Sequence, residues 1–283
     1  MSANRATIAR PVTLEGVGLH LGQPCTLTFR PAPAGSGRNF VRIDLPGAPT
    51  IPAHVSVAVF AERRTQLGDG MTALHTVEHV LAAAAAEEID DLIIELDASE
   101  PPVLDGSSEQ FVEALRRAGR HEWDEPAPLL VLEEPFRLED GDSVYEASPA
   151  DVLRLEVIIE FPHPLIGRQE LLLDVTPESF ARDLAGARTF GFVHEVAALQ
   201  AKGLIRGATT DNAVVVGPSG VVSNVLRWPD EFVRHKALDC VGDLALADAR
   251  VRAHVRAERP SHSGTLRFVR ELLARSEASI PAT

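Results

Sequence analysis

At 283 residues the chain is long enough for one large or two ordinary domains, and 45% hydrophobic with 24% charged residues is a globular rather than a disordered composition. A formal net charge of −14, with no Lys/Arg-rich stripe to offset it, argues against nucleic acid as a partner. A phosphorylated small molecule, which needs only a few local cations, stays open. Two distant cysteines, Cys25 and Cys240, make neither a disulfide framework nor a cysteine zinc site, and they fit a reducing compartment.

The first ten residues lack an apolar core, so no secretory signal is expected. The longest apolar run, 80–86, is too short to span a bilayer, so a cytoplasmic protein without stable membrane insertion is expected. Residues 7–60 read as strands, with Cys25-Thr-Leu-Thr-Phe-Arg alternating apolar and polar and a turn-rich break at 31–37. Gly16-Val-Gly-Leu-His20 is a glycine-flanked loop or strand edge. A helix is expected over 72–87, with Thr72 or Thr76 as N-cap.

That helix sets Glu78 within an apolar stripe of Leu74, Val77, Leu81 and Ala85, with His79 beside it. A carboxylate there is costly unless it is tightly paired or lies at a functional site. A buried strand at 92–96, a Pro/Gly-bearing turn at 97–107 and a helix from Ser107 or Ser108 to Ala118, closed by Gly119, follow. The polar, two-proline stretch 121–128 reads as a boundary between domains 1–122 and 127–283.

The second half repeats the order of strands before helices. Strands are expected at 129–138, 143–147, 153–161 and 170–175, then a helix at 177–185. A helix at 193–202 and a strand at 213–217 precede a long helix at 230–247. A strand at 250–257, a Pro-Ser-His-Ser-Gly loop and a helix at 264–275 complete the chain. The fold class expected is α+β, with two similar domains, each a mostly antiparallel sheet layered against helices.

Within the long helix, His235, Asp239 and Asp243 recur every four residues, about 40° apart around the axis, and form one ridge. A solvated ridge of His, Lys and Asp is the ordinary reading; a shared metal is the alternative. If the two long helices meet at the domain interface, His79, His235 and Asp239 supply three N/O ligands, which suits a catalytic zinc with an open position. Zinc lowers the pKa of a water it holds from 15.7 toward about 7. Glu78 would then act as general base and His262 as the acid for the leaving amine, with Asp243 keeping that histidine charged. Lys236 and the Thr189 hydroxyl could stabilise the oxyanion. Each has a plainer reading: His262 as a surface residue, Thr189 as a helix cap, Lys236 as a solvated lysine. The remaining histidines, His20 among them, read mostly as structural.

Six runs together resemble the zinc-dependent UDP-3-O-acyl-N-acetylglucosamine deacetylases of lipid A synthesis. They are Gly-Val-Gly-Leu-His (16–20), Thr-Val-Glu-His (76–79), Pro-Pro-Val-Leu-Asp-Gly-Ser (101–107), Ala-Arg-Thr-Phe-Gly-Phe (187–192), Thr-Asp-Asn-Ala-Val-Val-Val (210–216) and the segment 232–243. The resemblance runs from about residue 7 to 275. It implies a site between two domains, with Zn2+ (Fe2+ as an alternative) on His79, His235 and Asp239, and Glu78 as base. It also implies His262 as acid supported by Asp243, and Thr189 and Lys236 assisting at the oxyanion and substrate. Phe190 would lie near the substrate and His20 at the rim.

An insert at about 193–220 would form an apolar passage for an acyl chain, and Val193, Val196, Leu199 and Leu204 suit that role. A monomer acting on an acylated UDP-glucosamine is expected. The chain departs from the resemblance at Ser261-His262-Ser-Gly-Thr-Leu, where the family usually carries glycine before the histidine and an asparagine after it. A serine there would restrict the backbone where the acid is aimed. A relative that binds metal and nucleotide sugar without turnover, or one acting on another N-acetyl sugar, therefore remains open at this point.

Overall fold

The computed structural model describes residues 4–222 and 225–279. Six helices organise it: α1 (Glu78–Ala86), α2 (Glu109–Ala118), α3 (Pro177–Asp183), α4 (Val193–Ala201), α5 (Glu231–Leu244) and α6 (His262–Arg275). The architecture is α+β with mostly antiparallel sheets, as the alternating patterns imply. In strand Pro24–Pro31 the apolar positions Cys25, Leu27 and Phe29 are buried, and in Arg250–Glu258 Val251, Ala253, Val255 and Ala257 are. Both are the period-two signature of one face turned to a core.

The two halves share a plan. In the first, the five-stranded sheet runs Val12–Val17, Pro24–Pro31, Leu92–Leu96, Arg38–Arg42, Thr50–Pro52. In the second, the main path runs Phe136–Asp140, Ser143–Pro149, Arg250–Glu258, Leu129–Leu132, Ser276–Ser279, and the hairpin Arg154–Phe161 with Gly167–Asp174 joins at Arg250–Glu258. In each, the strand that follows the long helix enters the middle of the sheet. It pairs antiparallel on one side and parallel on the other, and a further helix follows it. Helices α1 and α5 pack on each other, α2 against strand Val12–Val17, and α5 and α6 against strands of the second half. Helices α1, α2, α5 and α6 thus form one contiguous packed group.

Helix α1 is buried almost all round, because its run of five alanines has no polar face to offer water. On α5, Phe232, Leu238 and Val241 are buried, each contributing about 1.5–3 kcal/mol by leaving water. The His235–Asp239–Asp243 ridge is buried as well, all three residues being at most 4% exposed. The solvated reading of that ridge therefore fails.

Four stretches take a local structure other than the one their pattern suggests. Helix α1 begins at Glu78, not 72: residues Gly70–Thr72 form a 3-10 turn, Leu74–His75 a short strand, and Thr76 adopts φ 56°, so neither threonine caps the helix. The expected strand 129–138 is two strands, broken around Pro135. The polar stretch near 121–128 contains strand Arg120–Pro126, antiparallel to Asn4–Ile8, and its polarity reflects a solvent-facing ribbon. His262 does not sit in a loop but opens α6.

Candidate metal centre and catalytic cleft

His79 stands on the first turn of α1, and His235 and Asp239 one turn apart on α5, so the contact between these helices brings the three together. One ligand atom from each lies within 4.8 Å of the others. Asp239 Oδ1 is 3.4 Å from His235 Nε2 and 3.5 Å from His79 Nε2, and the two rings meet edge-on. Buried, that oxygen finds no hydrogen-bond partner among the described residues. A buried carboxylate oxygen left bare is costly, and a cation shared with two imidazole nitrogens would satisfy it.

The donors are tuned for this. His235 Nδ1 donates to the Ala187 carbonyl at 3.0 Å, which leaves its Nε2 lone pair free toward Asp239. Burial drives the His235 pKa down to about 4, so the ring is neutral near pH 7. Burial alone would raise Asp239, but the field of His235 in the acid range where that ring becomes charged, together with the Lys236 ammonium, outweighs it and holds its pKa well below the usual range.

Glu78 and His262 flank the cluster. Burial raises the Glu78 pKa above the ordinary carboxylate value. His262 Nδ1 lies 2.9 Å from Asp243 Oδ2, and its Nε2 lies 3.9 Å from Glu78 Oε1 and 3.8 Å from Asp239 Oδ2. Burial would lower its pKa, but the charges of Asp243 and Glu78 and the Asp243 hydrogen bond raise it to about 9. Lys236 donates to Asp239 Oδ2 at 2.9 Å; burial opposes its charge, yet the aspartate lifts its pKa above the usual lysine value.

These groups open on a cleft of about 410 Å³. Thr189, Phe190, Lys236, Glu78, His262 and the clustered His79, His235 and Asp239 line it, together with Phe60, Phe161 and Phe192. Phe190 packs edge-on to Phe161 at 5.7 Å, giving one apolar wall beside a charged floor. The lining contains none of Val193, Val196, Leu199 or Leu204; Val193 faces solvent, and Leu199 and Leu204 are buried. His20 is not among the lining residues, although its buried ring lies near enough to His262 and Arg63, which are, to feel both. It is 3% exposed, burial pushes its pKa down to about 3, and its neighbour Leu19 does the lining.

The sequence matches the UDP-3-O-acyl N-acetylglycosamine deacetylase family over residues 5–274. The chain belongs to that family. A UDP-3-O-acyl-N-acetylglucosamine deacetylase of Bdellovibrio bacteriovorus is 42% identical over 94% of this chain and 88% of its own length. One from Nostoc is 42% identical over 95% and 98%, and one from Myxococcus xanthus 40% identical over 96% and 87%.

The serine that departs from the deacetylase pattern imposes no backbone strain. Ser261 has φ −123°, an extended conformation open to any residue, and its hydroxyl accepts from Gly264 N as the N-cap of α6. It thereby fixes the first turn, from which His262 projects.

Two residues in this deacetylase chain escape sequence reasoning. Thr65 is fully buried between the two flanking groups: its backbone N–H donates to Glu78 Oε2 at 3.1 Å and its hydroxyl to Asp243 Oδ1. Glu100 accepts from the backbone of His20 and Leu21 and from the Thr76 hydroxyl, tying the Gly-Leu-His turn to the start of α1. Neither stands in a pattern that periodicity detects. The carboxylate just before Pro101-Pro102 was the one available signal for Glu100.

Proposed function

We propose that this chain hydrolyses the N-acetyl group of UDP-3-O-acyl-N-acetylglucosamine, a step of lipid A biosynthesis, using a zinc ion held by His79, His235 and Asp239. The observation that carries the reading is Asp239 Oδ1, buried and bare and facing two imidazole nitrogens, in a chain of a deacetylase family. Two imidazoles and a carboxylate suit Zn2+ and also Fe2+. When bound, the ion supplies a water of lowered pKa and a positive charge beside the amide carbonyl.

The protein's own groups do the rest. Glu78, its affinity for a proton raised by burial, takes the proton of the attacking water. Lys236, with the Thr189 hydroxyl, stabilises charge developing on the carbonyl oxygen. His262, kept protonated beside Asp243, gives its proton to the departing amine, so the products are acetate and UDP-3-O-acyl-glucosamine with a free amine. The phenylalanine wall supports an acylated substrate, with Phe190 near the sugar. In this reading the cleft lies between domains 1–122 and 127–283, with 193–220 as an insert in the second.

The two buried free cysteines accord with a reducing, cytoplasmic setting, and among the described residues no helix is long and apolar enough to cross a membrane. We take the enzyme to be monomeric and its partner to be the small-molecule substrate alone. The test is acetate release from purified protein with metal content measured in parallel, on substrates with and without UDP and the acyl chain. Zinc-loaded protein that releases no acetate would overturn the activity; release independent of UDP and acyl would overturn the substrate.

A further inference from the structure

Behind the His235 ligand lies a second arrangement that the reaction as described does not use. The peptide unit joining Ala187 to Arg188 is held at both ends by residues one turn apart on α5. Its carbonyl accepts from His235 Nδ1 at 3.0 Å, and its N–H donates to Glu231 Oε1 at 3.1 Å. Glu231 is fully buried, and Arg188 is 6% exposed. The Arg188 guanidinium donates to both carboxylate oxygens, at 2.8 and 3.1 Å, and also to the Val225 carbonyl. The backbone N–H of Arg227 donates to Glu231 Oε2 at 2.6 Å. A buried carboxylate thus takes three of its four hydrogen bonds from Arg188, whose peptide in turn fixes a histidine.

We propose that Glu231, paired with Arg188, is a positioning residue that locks the 187–188 peptide so that His235 carries its proton on Nδ1 and presents a bare Nε2 to the metal. A carbonyl can only accept, so with the peptide as it stands Nδ1 must be the protonated nitrogen. Rotating the peptide by half a turn would present the N–H to the imidazole. Nδ1 would then become an acceptor, the proton would move to Nε2, and that nitrogen could no longer bind a cation. Glu231 opposes the rotation because it accepts the N–H on the far side. Outer groups that orient a ligating histidine in this way typically change metal affinity by about 10–100-fold.

The inference rests on His235 being a metal ligand, and its test separates the two. In the full-length, metal-free wild type, 15N NMR of the His235 ring should show the Nδ1–H tautomer; an Nε2–H ring overturns the proposal without any substitution. Removing Glu231 alone would leave a buried guanidinium unpaired, so two double variants are compared. R188M/E231Q removes both charges but keeps a side-chain oxygen to accept the peptide N–H, and should bind zinc close to wild type with the Nδ1–H tautomer. R188M/E231L removes that acceptor, and should lose about 10–100-fold in zinc affinity with Nε2–H appearing. Equal affinity and an unchanged tautomer in R188M/E231L overturn the positioning role while leaving the metal site intact. Wild type that takes up no zinc overturns the metal reading and this inference with it.

Discussion

Gly242 on α5 rests against the backbone carbonyl of Glu78 on α1, so closely that a β-carbon at position 242 would come within 2.0 Å of that oxygen. The obstacle is backbone, which cannot rotate aside as a side-chain tip can. The contact lets the helix carrying Glu78 and His79 approach the helix carrying His235 and Asp239. Gly242→Ala should push the helices apart, at a cost of about 1–3 kcal/mol or more from overpacking. Urea unfolding and zinc titration check this: both stability and zinc affinity should fall, and unchanged zinc affinity would show that the helix spacing does not set the site.

Glu78 is assigned proton transfer and not ligation. Glu78→Ala should therefore keep its zinc, by elemental analysis, while acetate release falls by about 10²–10⁴-fold, the usual weight of a general base. A variant that keeps its rate requires another base, and one that loses its zinc makes Glu78 a ligand.

His79→Ala and His235→Ala each remove one of the three clustered donor side chains, Asp239 being the third. Both should purify with reduced zinc and, when dialysed against zinc, bind it more weakly than wild type. Stoichiometric zinc of unchanged affinity in either variant removes that residue from the site.

His262 carries the pH dependence. Its folded pKa of about 9 exceeds the ordinary histidine value of 6.5 because Asp243 and Glu78 outweigh burial. The sign follows: the stabilisation from the charged His262–Asp243 pair is fully present below the unfolded pKa and is lost as pH rises through about 9. In metal-free protein, NMR titration of the His262 ring should show a midpoint near 9. In Asp243→Asn, where burial persists but the negative partner is gone, the midpoint should drop. An unmoved midpoint would mean that Asp243 does not hold the proton there. His262→Ala should reduce acetate release by about 10²–10⁴-fold.

Much of this site was legible in the sequence, for identifiable reasons. Four-residue spacing makes His235, Asp239 and Asp243 one ridge whatever surrounds them, and a carboxylate within an apolar run draws attention to Glu78. What periodicity could not supply was direction and depth. A helix pattern does not say that its polar ridge faces another helix, so the ridge reads as solvated until α1 is set against it. The start of α1 is hidden because Leu74 fits a helical stripe, while the left-handed Thr76 that follows the preceding strand has no sequence mark of its own. The segment Pro-Ser-His-Ser-Gly looks like a loop because it is turn-rich, although Ser261 uses the same chemistry to cap the helix that His262 opens. Thr65 and the Arg188–Glu231 pair depend on contacts across 13 to 178 residues, which no local pattern encodes.

Two imidazoles and one aspartate from α1 and α5 are read here as sharing a single cation. Anomalous diffraction at the zinc edge from crystals of the zinc-loaded protein locates that ion. One strong peak is expected about 2.0–2.2 Å from a nitrogen of His79, a nitrogen of His235 and an oxygen of Asp239. A fully occupied peak elsewhere, with these three side chains left uncoordinated in protein that still releases acetate, would overturn the assignment.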